Sequence, residues 1–170
     1  RALPERIPGV ELLTDLCRLA AQCSVPVFLL GGREVAEGAA ARLRQSVPGL
    51  RATAFLSDHE AEAPPEALWS DLARVRPALL FVAYGAPRQD VWIHRYRGRL
   101  EDAGVRIAMG VGGAFDTLAG NFPRAPRWVQ AEGMEWLWRL FLEPRRLPRV
   151  VRATIVFPLV VMRDTKATKR

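Results

Sequence analysis

The 170-residue chain alternates short unbroken apolar runs with stretches in which apolar residues recur at helical spacing. The clearest run is Ala78–Ala83, Ala-Leu-Leu-Phe-Val-Ala, with Gly85 and Pro87 close behind it. An uninterrupted apolar run closed by turn residues reads as a strand buried on both faces, as in parallel sheets. Val25–Leu30 is a second such run and ends in Gly31-Gly32. Leu50–Leu56 and Gly104–Met109 are two more, the latter ending in Gly110-Val-Gly-Gly113. Helical stretches lie before and between them. Val10–Cys23 has apolar residues at 10, 12, 13, 16, 17, 19 and 20. Glu34–Gln45 is alanine-rich and stops at Val47-Pro48-Gly49; Pro65–Val75 has proline at its first turn; Arg88–Leu100 follows the central strand. Strands alternating with helices in this way predict an α/β fold with a parallel, doubly wound, Rossmann-like sheet.

Beyond Gly113 the pattern changes. Ala125-Pro-Arg-Trp128 opens a stretch holding Trp128, Trp136, Trp138 and Phe141. Trp136 and Leu140, and likewise Trp138 and Phe141, share helix faces, which predicts core roles for the aromatic residues. Gly133, Pro144 and Pro148 predict a kinked or two-part helical segment. Arg139, Arg146 and Arg149 would share one side of a continuous helix. Thr154–Met162 is apolar but too short to cross a bilayer.

Charge divides the chain at the same place. Residues 1–138 hold 16 Arg against 16 Asp and Glu, whereas residues 139–170 hold 9 Arg and Lys against Glu143 and Asp164. The whole formal charge of +7 therefore sits in the last 32 residues. Two parts are expected, an α/β ligand-binding domain over 1–138 and a basic, helical C-terminal appendage over 139–170. A neutral body with a basic tail implies an anionic partner for the tail: phosphate, nucleic acid or anionic lipid. The tail lacks a recognisable nucleic-acid-binding pattern, so no nucleic-acid partner is expected. Its apolar run, flanked by arginines and lysines, suits either a membrane interface or an ordinary strand or chain end. Cys17 and Cys23 show no pairing pattern and read as free thiols of a reducing compartment. The chain begins with Arg1 rather than Met and reads as a piece of a longer protein.

Three predicted strands end in glycine, at Gly31-Gly32, at Gly85, and at Gly110, Gly112 and Gly113. Glycine permits close backbone approach, and amides at a following helix start favour phosphate. The dinucleotide spacing Gly-x-Gly-x-x-Gly is incomplete, and the lysine of a P-loop is missing. Any one of these glycines alone is a tight turn; three at one sheet edge point to a nucleotide-type ligand. Gln89 and Asp116 stand just past two of those ends. A carboxylate at position 116 can accept hydrogen bonds from a ribose or sugar hydroxyl, or serve as a first-turn acid of the helix.

Taken in order, several strings carry a family resemblance: Glu5-Arg6, Leu29-Leu-Gly-Gly32, Gly85-Ala-Pro-Arg-Gln89, Gly110-Val-Gly-Gly-Ala-Phe-Asp116, Leu118-Ala-Gly120, Arg124-Ala-Pro-Arg-Trp128, Glu135-Trp136, Arg139-Leu140 and Glu143-Pro144. Over about residues 3–150 the chain resembles the WecG/TagA/CpsF glycosyltransferases of bacterial surface-polymer synthesis. The resemblance implies an inverting enzyme without cofactor or essential metal. It would move a sugar, typically N-acetylmannosamine, from a UDP-sugar donor to a polyprenyl-diphosphate-linked acceptor. It implies a cytoplasmic protein attached peripherally to the inner face of an anionic membrane, and leaves a homo-oligomer open. Gly31, Gly32, Gly85 and Gly112 would line the site, Gln89 would meet the donor sugar, and Asp116 the nucleoside end. Arg6 matches an arginine near the sugar diphosphate; Arg139, Arg146 and Arg149 match arginines that close over it. The family's proposed general base is an Asp in an Asp-Gly segment upstream of the arginine matched by Arg6, and this chain starts after it, so the catalytic residue is left unassigned. Ser57-Asp58-His59 stands where the family tends to carry Gly-Tyr-Phe, and Asp90 where it carries Glu. The rival expectations are a non-catalytic binder of UDP-sugar or lipid diphosphate and a basic-tailed nucleic-acid binder.

Overall fold

In the computed structural model the described residues are 8–57, 64–121, 126, 129, 134–142 and 147; for Arg33, Glu135, Trp136, Arg139 and Leu142 the description is of the backbone alone. The chain falls into two compact units, residues 1–121 and 122–170. The charge boundary at residue 139 falls inside the second.

In the first unit, α1 (Gly9–Gln22) leads into β1 (Val27–Gly31), α2 (Arg33–Ser46), β2 (Ala52–Leu56), α3 (Glu66–Val75), β3 (Leu79–Val82), α4 (Arg88–Arg95), α5 (Arg97–Asp102), β4 (Ile107–Gly110) and α6 (Ala114–Ala119). The four strands form one sheet in the order β2-β1-β3-β4, every pair parallel. The chain winds from β1 outward to β2, then crosses back to place β3 on the other side of β1. This reversal makes the carboxyl ends of β1 and β3 a topological switch point, where open α/β sheets bind ligands.

Burial follows from the sequence pattern. Every residue of β1 and β3 is buried. Alternate side chains go to opposite faces of a strand. Val27, Leu29, Leu79 and Phe81 therefore join one core with Leu13, Cys17 and Ala20 of α1 and Ala36, Ala39 and Ala40 of α2. Phe28, Leu30, Leu80 and Val82 join the other with Leu68, Trp69 and Leu72 of α3 and Trp92 of α4. Fully burying each large apolar side chain contributes roughly 1.5–3 kcal/mol, and Phe28, Phe81, Trp92 and Phe115 are all fully buried.

Two expectations need correction. The helix expected over Arg88–Leu100 is two helices, broken at Tyr96, whose backbone stands at φ −104° and ψ 13°. There the Tyr96 ring packs on Trp92 and Trp69, with centroids 5.2 and 5.4 Å away; Gly98, a poor helix former, follows in the next turn. The aromatic residues expected in a core do not all go there. On α7 (Glu135–Leu142), in the second unit, Phe141 is 84 % exposed and Leu137 47 %. Four residues apart, they share one face of that helix, and it is an open one. Trp138 is half-buried, while Trp128 and the Trp136 side chain lie outside the described residues.

Candidate functional site

The backbone register brings the strand ends to one edge. Ser57 N–H donates to the Gly31 carbonyl (3.0 Å), Ala83 N–H to that of Leu30 (2.8 Å), and Val111 N–H to that of Val82 (2.9 Å). Ser57, Gly31-Gly32, Ala83-Tyr84-Gly85 and Gly110–Gly113 thus stand side by side at the carboxyl edge. This is the clustering that the glycine-ended runs predict.

At β1, Gly32 is the N-cap of α2. Gly31 is buried, and a Cβ built on it would lie 3.1 Å from the Ala83 Cβ and 3.3 Å from the Phe115 ring. The space left by the missing side chain is used by the protein: it lets Phe115 of α6 close onto the end of β1.

After β3 the chain turns through Gly85 (φ +75°) and a cis Ala86–Pro87 bond into α4. Gln89 lies in the first turn, its N–H donating to the Gly85 carbonyl (3.1 Å), and only 7 % of it is exposed. Its neighbours Arg88 and Asp90 are exposed. Gln89 Oε1 accepts a hydrogen bond from Gly112 N–H at 2.9 Å. The side chain lies over Gly110, where a Cβ would come within 2.6 Å of Nε2.

After β4, Gly112 adopts φ +51°, a conformation that side chains other than glycine rarely tolerate. Gly113 caps α6. Asp116, the third residue of α6, is half-buried and already engaged in an interaction.

Sequence reasoning missed one polar pair. The Tyr84 hydroxyl hydrogen-bonds Ser57, linking the ends of β3 and β2 over β1. Burial pushes the Tyr84 pKa up, opposed by that bond, so the phenol stays protonated at neutral pH. Ser57 itself is only 8 % exposed. The available signal was an amphipathic residue at the point where an apolar run leaves the core.

The remaining expected site residues are not all in view. Arg6, Arg146 and Arg149 lie outside the described residues, and Arg139 is on α7 with its side chain undescribed. Among the described residues, no group of three His, Cys, Asp or Glu side chains could hold a metal ion. A pocket of about 250 Å³ is lined by Ile93, Arg97, Leu100, Glu101, Val105, Arg106 and Ala108, and includes none of the strand-end residues.

Comparison with known proteins gives a consistent result. The model of the glycosyl transferase WecG/TagA/CpsF family matches residues 1–170. An N-acetylglucosaminyldiphosphoundecaprenol N-acetyl-beta-D-mannosaminyltransferase of Bacillus subtilis (strain 168) is 30 % identical over 168 residues, 98 % of this chain and 63 % of the relative. A protein of the same name from Bacillus spizizenii (strain ATCC 23059 / NRRL B-14472 / W23) is 32 % identical over 152 residues, 89 % of this chain and 57 % of the relative. One from Staphylococcus aureus (strain MRSA252) is 29 % identical over 170 residues, 99 % of this chain and 63 % of the relative. The chain thus spans about three-fifths of the length of these relatives.

Proposed function

Because the chain belongs to the WecG/TagA/CpsF glycosyltransferase family, we propose that its carboxyl edge is the UDP-sugar site of an inverting glycosyltransferase. The donor would be UDP-N-acetylmannosamine or a related hexose, and the acceptor a sugar carried on a polyprenyl diphosphate. The observation that supports the reading is the gathering of Gly31-Gly32, Gly85, Gln89 and Gly112 at the carboxyl edge of a parallel sheet, with Asp116 in the helix that starts after Gly113. The named activity of the relatives supports the acceptor class.

In this reading the acceptor hydroxyl attacks the anomeric carbon from the face opposite the diphosphate. The carbon–oxygen bond to UDP breaks, the configuration inverts, and the hydroxyl proton passes to a base. No residue of this chain is assigned as that base. Gln89 contacts the sugar and Asp116 the nucleoside. Arg6, Arg139, Arg146 and Arg149 meet the negative charge that grows on the leaving diphosphate, for which arginine forks are suited.

The basic segment 139–170 serves to hold the protein at an anionic membrane, where a polyprenyl-linked acceptor resides. The exposed Leu137 and Phe141 favour the same role, since apolar side chains can enter the interface beside basic residues. Among the described residues, no helix is long and apolar enough to cross a membrane.

Calorimetric titration with UDP and UDP-N-acetylmannosamine tests the site, and flotation with anionic liposomes tests the attachment. Saturable binding of both nucleotides is expected. Folded protein that ignores both at millimolar concentration would sink the assignment. Binding without sugar transfer, in a version extended upstream to include the family's Asp-Gly segment, would favour a pure binding role.

A further inference from the structure

We propose that Gln89 is a positioning residue: it holds the β4–α6 loop, and through it Asp116, in the shape that receives a nucleoside diphosphate. The proposal rests on the nucleotide-sugar reading above and adds to it a task that Gln89 performs before any sugar is present.

A Cβ on Gly110 would meet Gln89 Nε2 at 2.6 Å, Cδ at 2.7 Å and Cγ at 2.8 Å, so the Gln89 side chain occupies the position a side chain at 110 would need. Its outer oxygen then takes the Gly112 N–H at 2.9 Å. The base of the side chain is fixed as well, because Gln89 lies in the first turn of α4 and its own N–H is bound to the Gly85 carbonyl. One side chain from the first turn of α4 therefore clamps the end of β4 by contact at Gly110 and the loop after it by a hydrogen bond at Gly112. Two residues on, Ala114 begins α6, and Asp116 follows in its first turn. Shifting Gly112 would shift the start of that helix.

The clamp also fixes the polarity of the carboxamide. With Oε1 turned to a backbone donor, Nε2 is left as the end that can donate to a carbonyl, hydroxyl or phosphate oxygen, while Oε1 keeps one further lone pair.

A residue that only touches the donor sugar should matter for UDP-sugars and not for UDP. A residue that shapes the loop should matter for both. The test uses the full chain with Gln89→Met, which keeps bulk over Gly110 but offers Gly112 no comparable acceptor, and Gln89→Glu, which restores one. Two quantities are read: hydrogen exchange of the Gly112 amide without ligand, and UDP affinity by calorimetry. In Gln89→Met the Gly112 amide should exchange about tenfold faster or more, and UDP affinity should fall about tenfold. Gln89→Glu should recover slow exchange and part of the UDP affinity. Gly110→Ala, which pushes Gln89 away from the other side, should reproduce the Gln89→Met pattern and serves if that variant does not fold. Unchanged Gly112 exchange in Gln89→Met and Gly110→Ala overturns the proposal, whatever the ligand data. Parent protein that fails to bind UDP overturns the nucleotide reading instead, and the exchange measurement still decides whether Gln89 holds the loop.

Discussion

The ends of β1 and β4 look alike in sequence, each an apolar run closed by glycine, yet the two glycines do different work. At Gly31 the space left by the missing side chain is filled from the apolar side, by the Phe115 ring and the Ala83 methyl. At Gly110 it is filled by the carboxamide arm of Gln89, which goes on to bind Gly112. The first is an element of packing; the second ties the ends of β3 and β4 together at the carboxyl edge of the sheet. A glycine at a strand end reports that something comes close. Whether that something is core, polar side chain or ligand depends on which residues the topology brings opposite it.

Substitution should separate the two ends. Phe115→Ala has the largest expected effect, a loss of about 3–5 kcal/mol, because it empties a fully buried ring site. Gly31→Ala should cost about 1–3 kcal/mol, since its new methyl meets carbon atoms at 3.1 and 3.3 Å. Combined, they should cost less than their sum, because Phe115→Ala clears one of those contacts. Chemical denaturation of the four proteins measures both effects; strict additivity would mean that Phe115 does not set the fit at Gly31.

Gly110→Ala should behave in the opposite way. The atoms it meets belong to one polar side chain, so Gln89 should swing aside and release Gly112 at a cost to folding of about 1–2 kcal/mol. The damage should appear in UDP affinity and not in the denaturation midpoint alone. A large stability loss with unchanged affinity would remove the distinction between the two ends.

The smallest expected effects concern the buried hydroxyl and thiol. Tyr84→Phe, which removes the bond to Ser57, should cost about 1 kcal/mol at neutral pH. Burial raises the folded-state pKa of Tyr84 from its ordinary 10.0, so the neutral phenol is favoured in the folded protein. The corresponding stability is fully present below that ordinary value and is lost as pH rises through the raised one. Cys17, in the core on the other face of the sheet, is pushed by burial from 9.0 to about 12 and should act the same way between those values. Unfolding followed across the alkaline range should therefore show a decline that Tyr84→Phe and Cys17→Ala each reduce. A decline untouched by either variant would assign it to other groups.

Much of this architecture was legible in the residue string. β1 and β3 are unbroken apolar runs because both their faces are covered, and the alternation of runs with helical spacing gave parallel strands and a common edge for their ends. The break at Tyr96 was not legible, since it arises where one ring packs on Trp69 and Trp92, which come from two different helices. Nor was the openness of Phe141, because periodicity tells which residues share a face and not whether that face is covered. At the site, Gln89 and Asp116 stood out by position after a strand. The bond from Gln89 to Gly112 spans 23 residues of sequence and depends on β3 and β4 being neighbours. The Ser57–Tyr84 pair likewise depends on the crossing of strand order at β1.

The meeting of α2 and α6 has a kinetic consequence. A Cβ on Gly38 of α2 would lie only 3.0 Å from that of Ala119 on α6, so the two helices approach as closely as small side chains allow. One of these helices starts at the Gly31-Gly32 turn and the other at the Gly110–Gly113 turn. A ligand arriving at either turn meets walls that are already braced against each other, and little of its binding energy goes into assembling them. Capture at these two turns should then follow encounter directly, at a rate set by diffusion and charge, and any slow closing step would belong to the C-terminal arginines instead.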